Sequence, residues 1–106
     1  MPFVELDQIR QAEIIPGFHG RFIHSEQMTL AQWRIEANAA APEHAHPHEQ
    51  ICIVLEGRLE LSLGSQRNVM EAGSVAVIPS TVPHSARALT ACKVIDMFHP
   101  AREDYR

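Results

Sequence analysis

The sequence predicts an all-β chain, folded as an antiparallel sandwich or barrel. Two observations lead there: short apolar runs recur from residue 28 onward, and turn residues punctuate them at close intervals. Residues 28–36, MTLAQWRIE, contain neither Gly nor Pro and place Thr29, Ala31, Trp33 and Ile35 on one parity, as a strand with one face on a core does. From Gln50 to Leu55 the run is apolar on both parities and rich in β-branched residues, which predicts a fully buried strand ended by Gly57. Leu59, Leu61 and Leu63 then alternate with polar residues in a half-buried strand, and Gly64-Ser65 turns it into a partner over 66–70. After the turn at Ala72-Gly73, Val75–Ile78 reads as another buried strand, stopped by Pro79. The stretches 84–89 and 92–98 complete the set. Only residues 6–10 have a helical character.

Composition narrows the function classes. A chain of 106 residues with 45% apolar and 21% charged residues suits one soluble domain spanning 1–106. Its formal net charge is -4 and its nine Lys and Arg are scattered, so a nucleic-acid partner is not expected. The N-terminal MPFVELDQIRQ lacks the basic and apolar segments of a secretory leader, and no run is long enough to span a bilayer, so a cytoplasmic location is expected. Cys52 and Cys92 sit among apolar neighbours, where a free thiol behaves as a small hydrophobe.

Histidine carries the strongest signal. His44-Ala45-His46-Pro47-His48-Glu49-Gln50 packs five potential ligands into one stretch immediately before an apolar strand. In extended chain His44 and His46 project to one face and can share an ion, with His48, Glu49 and Gln50 as candidates for a further position. Beyond it, Gly57, Gly73, Pro79 and His84 follow at set intervals. This spacing resembles the two-part signature of the cupin family: His-x-His, a glutamate and a Gly in the first part, and Gly, Pro-x-Gly and His in the second. The resemblance implies a jelly-roll barrel holding one divalent transition metal (Ni, Zn, Fe, Co or Mn) on His44, His46, Gln50 and His84.

Three positions depart from that signature. Asn38 stands where the first part begins with Gly, a mild change because Asn tolerates left-handed backbone. Thr81 stands at the Gly of Pro-x-Gly, which argues against a positive φ there. Gln50 replaces the glutamate, and this changes the chemistry. Three His and a carboxylate leave a divalent ion with a net charge of about +1, whereas three His and an amide leave about +2. The site is therefore expected to polarise a hydroxyl or carbonyl in preference to supporting oxygen chemistry.

Asp96 interrupts the apolar run Lys93–Phe98, and a buried carboxylate needs water, a cation or a catalytic task. Phe98 shares its parity, and Arg102 follows beyond Pro100 as a group suited to bidentate capture of a carboxylate. Together with the segments Val-Leu-Glu-Gly, Val-Pro-His-Ser-Ala and Pro-x-Arg-Glu-Asp-Tyr, this tail resembles the pectin-degradation cupins of the KdgF type. That resemblance implies metal-dependent opening of 4,5-unsaturated uronates to the linear ketone. Asp96 and Arg102 would then be the catalytic residues, with Phe98 and Arg102 contacting the sugar acid and the chain forming a homodimer. On the residues alone, Asp96 would carry a proton and Arg102 would anchor a carboxylate, with Arg21 a second anchor and Trp33 part of the core. A non-catalytic cupin that binds a metal or small metabolite would need the histidines without Asp96 or Arg102, and Gln50 argues against a third reading, a dioxygenase.

Overall fold

A computed structural model describes residues 3–106. Within them ten strands form: β1 (Ala12–Ile15), β2 (Phe18–His24), β3 (Thr29–Ile35), β4 (Ala40–His44), β5 (Glu49–Glu56), β6 (Leu59–Leu63), β7 (Gln66–Met70), β8 (Val75–Ile78), β9 (His84–Ala88) and β10 (Cys92–His99). They make two antiparallel sheets, ordered β1-β2-β3-β10-β5-β8 and β4-β9-β6-β7, which face each other as the two halves of a jelly roll. The helical character expected near residue 6 amounts to a single 3-10 turn over Leu6–Gln8. Among the described residues no helix is long and apolar enough to cross a membrane.

The core lies between the sheets. Ala31, Trp33 and Ile35 of β3, Cys52 and Val54 of β5, and Val94 and Phe98 of β10 meet Leu59, Leu61 and Ala88 from the smaller sheet. β3 and β10 alternate as expected, with Thr29, Ala31, Trp33 and Ile35 buried on one and Cys92, Val94, Asp96 and Phe98 on the other. This period-two rule places Asp96 and Phe98 on the inner face beside Trp33.

Two strands expected to be fully buried are not. In β5 only Gln50, Cys52 and Val54 are buried, while Ile51 and Leu55 are exposed; in β8, Val75 and Val77 are exposed and Ile78 alone is buried. The register aligns Val77 with Ile51, Ile51 with Met97, and Met97 with Leu30, so an apolar row runs across the outer face of the larger sheet. Apolar residues on both parities therefore reflect an apolar outer face, not a second covering layer.

Among the described residues two non-glycines take the left-handed region, Asn38 (φ 71°) and Thr81 (φ 67°). Asn38 does so at little cost and donates its N–H to Ala88 O at 2.7 Å. Thr81 overturns the expectation drawn from its side chain. Its N–H reaches His46 O at 2.8 Å, and Ser80 Oγ donates to Pro47 O at 2.7 Å, so these bonds hold a strained residue in place. The strain fastens the turn before β9 to the turn that carries His46. Gly57 (φ 88°) is obligatory at its turn, since a Cβ there would lie 2.2 Å from Ala91 O.

Candidate metal centre

Three histidines converge at one end of the sandwich. His44 ends β4, His84 opens β9 directly opposite it in the ladder, and His46 lies in the turn between β4 and β5. One nitrogen from each ring falls within 4.8 Å of the other two. His84 is buried, His46 half-buried and His44 exposed, so the cluster opens toward solvent on the His44 side.

The far ring nitrogens determine what the near ones offer. His44 Nδ1 lies 2.8 Å from Pro42 O, His46 Nδ1 3.1 Å from His48 O, and His84 Nδ1 2.9 Å from Val82 O. A carbonyl oxygen only accepts, so each Nδ1 carries the proton and each Nε2 presents a lone pair inward. Burial holds both His46 and His84 below the ordinary imidazole range. The charge of Arg102 adds to this at His46, and a backbone bond to Val82 partly opposes it at His84, so both rings stay neutral at neutral pH. His84 Nε2 is buried without a hydrogen-bond partner.

Gln50, the second residue of β5, brings an amide oxygen beside these nitrogens. Its Oε1 stands 3.1 Å from His46 Nε2. With the proton on Nδ1, that contact sets two acceptors against each other, an arrangement a cation between them relieves. Three lone-pair nitrogens and one amide oxygen fit a divalent transition metal. His48 and Glu49 stand apart from this set: Glu49 is exposed, and His48 contributes its carbonyl as the partner that orients His46.

A cavity of about 340 Å³ adjoins the cluster. Apolar side chains from both sheets make most of its wall, and Gln50, Asp96 and Arg102 bring polar groups to it. Asp96 is buried; its Oδ2 accepts the Trp33 indole N–H at 3.0 Å, while its Oδ1 has no hydrogen-bond partner. Burial pushes its carboxyl above the usual range, against opposing contributions from Gln50, Cys52, Trp33 and Arg102. The neighbouring Cys52 thiol is pushed up by burial and by that carboxylate. It is not a nucleophile.

Phe98 and Arg102 both line the cavity. Arg102 lies over the Phe98 and Tyr105 rings, 4.7 and 4.2 Å from their centroids. Its Nε and Nη2 donate to Asp104 Oδ1 and Oδ2 at 2.9 and 2.7 Å, which leaves Nη1 free of that pair. Tyr105 was not singled out from the sequence.

Arg21 requires a correction. It was expected to be a second anchor for the sugar acid, yet Gly20 and Phe22 take the inward parity of β2 and send Arg21 to the outer face. There its Nε donates to Ile9 O at 3.0 Å and its Nη1 to Gln32 Oε1 at 3.4 Å. A second set of ligand-type groups, Glu13, His19 and Glu36, also lies within 4.8 Å, near the β1–β2 turn.

Known proteins resemble this chain over nearly its whole length. An RmlC-like cupin from Shewanella frigidimarina superposes with a TM-score of 0.95 at 27% identity, covering 100% of this chain and 96% of its own. KdgF from a Halomonas species superposes with a TM-score of 0.93 at 27% identity, covering 98% and 99%. An uncharacterized protein of Streptomyces coelicolor is 23% identical over 97 residues, 91% of this chain and 90% of that one. The Cupin domain model matches residues 31–98, which hold His44, His46, Gln50, His84, Asp96 and Phe98, and so the chain belongs to the cupin family.

Proposed function

We propose that this cupin opens 4,5-unsaturated uronates to the linear keto-deoxyuronate with the help of a divalent metal. The observation that carries the reading is Asp96: a buried carboxyl with one unpartnered oxygen, in a cavity that also holds the Gln50 amide and the Arg102 guanidinium. The similarity to KdgF from Halomonas supports it. A cupin that only stores a metal has no use for such a carboxyl, whose desolvation costs stability.

The reaction moves one proton and breaks one ring bond. The C1 hydroxyl loses its proton as C1=O forms and the bond from C1 to the ring oxygen breaks. The resulting enolate becomes a ketone at C5 as carbon C4 gains that proton. Atoms and charge balance with no outside reductant or oxidant. Burial favours the neutral acid form of Asp96, which suits it to deliver a proton to C4 and regain one from the hydroxyl. Arg102, its plane fixed by Asp104 and two aromatic rings, offers Nη1 to the sugar carboxylate. Phe98 supplies an apolar wall next to it and, with Trp33 and Val94, excludes water. A metal held by His44, His46, Gln50 and His84 would supply Lewis-acid polarisation of a substrate oxygen.

The test is Asp96→Asn assayed on lyase-generated unsaturated uronate by the fading ultraviolet absorbance of its conjugated double bond. The variant is expected to fold and to bind metal as the wild type does, with turnover reduced by about 100-fold or more, the range of a lost general acid. Normal turnover in that variant would remove the proton-carrying role.

A further inference from the structure

Asp96 does not stand alone in its strand: its inner-face neighbours form a rigid mounting for one of its two oxygens. Directly across the two ladders from Asp96 are Ala31 of β3 and Cys52 of β5, both buried. Trp33, two residues further along β3, pairs with Val94 and so lies diagonal to Asp96, within reach of a long side chain. Its indole N–H spans that diagonal to Oδ2 at 3.0 Å.

The indole is itself held on its other sides. Phe18, Phe22 and Tyr105 meet it edge to face, with centroids at 6.0, 5.4 and 6.1 Å and interplanar angles of 80–82°. Gly20 lies opposite Trp33 in the β2–β3 ladder, and a Cβ at that position would fall 2.8 Å from Trp33 Cζ3. A glycine there leaves the space the ring occupies. The ring therefore has little freedom to turn its N–H away from the carboxyl.

We infer that Trp33 is the positioning residue for Asp96: its N–H occupies Oδ2 and leaves Oδ1 as the oxygen that exchanges a proton with a bound sugar. The inference rests on the ring-opening reading and adds to it the part of the site that selects which oxygen reacts. A carboxyl free to rotate would spend much of its time with neither oxygen aligned, so the gain is one of orientation. Trp33 touches no reacting atom; it acts through Asp96.

Two replacements at position 33 and one spectrum test this in the metal-loaded full chain. Trp33→Phe removes the N–H, and 3-benzothienylalanine incorporated at the same position keeps the bicyclic shape while removing only the N–H. Both are expected to lower kcat by about 10-fold or more, as lost orienting partners do, with KM and metal content within about twofold of wild type. Trp33 is the single tryptophan, so the amide-correlation spectrum contains one indole N–H signal, and Asp96→Ala should move it and speed its exchange with solvent. Wild-type kcat in the benzothienylalanine protein would overturn the inference, as would an indole signal unmoved by Asp96→Ala. If the wild-type protein itself fails to turn over unsaturated uronates while the indole signal still responds to Asp96→Ala, the ring-opening reading has failed and the contact is structural.

Discussion

Among the described residues, ligand-bearing side chains gather in two sets of three, and the two sets are built differently. In His44, His46 and His84, every Nδ1 is bound to a backbone carbonyl, so three Nε2 lone pairs face one another with Gln50 Oε1 beside them. In Glu13, His19 and Glu36, the groups satisfy each other: His19 Nε2 lies 2.6 Å from Glu36 and 4.0 Å from Glu13, whose Oε2 also accepts the Gly17 N–H at 2.9 Å. Proximity is shared; a ring nitrogen already lying against the carboxylates is found only in the second set. The lesson is that a metal site is recognised by acceptors set against acceptors, which only a cation relieves, and not by the count of ligand types in a small volume.

Substitutions in the two sets should separate them sharply. His84→Ala is expected to weaken metal affinity by about 100-fold or more, because it removes one of the three converging imidazoles, whereas His19→Ala should leave metal content at wild-type level. Metal analysis after gel filtration measures both. Gln50→Glu has a smaller effect. It should keep the ion but lower turnover by about 10-fold through weaker Lewis acidity, read by titration calorimetry alongside the uronate assay. Loss of the ion from that variant would contradict the coordination assigned to Gln50.

A third test uses the sign of the Asp96 shift. Its carboxyl ionises at higher pH in the folded chain than in the unfolded one, so the unfolded state releases its proton first as pH rises. Folding stability is therefore lost between the unfolded value, 3.8, and the raised folded one. Asp96→Asn has no such proton to lose. Its stability relative to wild type should rise across that window by at most about 1.4 kcal/mol per pH unit, measured by urea melts at several pH values. The smallest effect belongs to the second set: Glu36→Ala should cost about 0.2–1 kcal/mol, since Glu36 is more than half exposed and salt screens the pair.

Much of the site was legible because ligand spacing and strand parity are local properties. His44 ends β4 and His46 follows two residues on at the same end of the sandwich, Asp96 and Phe98 share a parity, and both relations survive folding. What escaped was long-range or depended on context. Arg21 was read without assigning a parity to its strand, and the inward Gly20 and Phe22 turn it outward. The strands β1, β2 and β4 were missed because Gly20, Pro42 and several polar residues interrupt their pattern, although an edge strand such as β4 tolerates proline. Thr81 takes a positive φ because hydrogen bonds to the His46-Pro47 turn outweigh its intrinsic preference, a contact between residues 35 positions apart. Trp33 was read as core, which it is. Its bond to Asp96 joins residues 63 apart, and the available clue was that a buried indole N–H needs an acceptor.

The most direct test of the central claim is the wild-type protein assayed on unsaturated galacturonate with and without a chelator. Turnover should be seen as loss of the conjugated ultraviolet absorbance, fall to background when the metal is removed, and return when a divalent transition metal is added. Turnover that persists at full rate after verified metal removal, or a metal-loaded protein with no turnover, would contradict it.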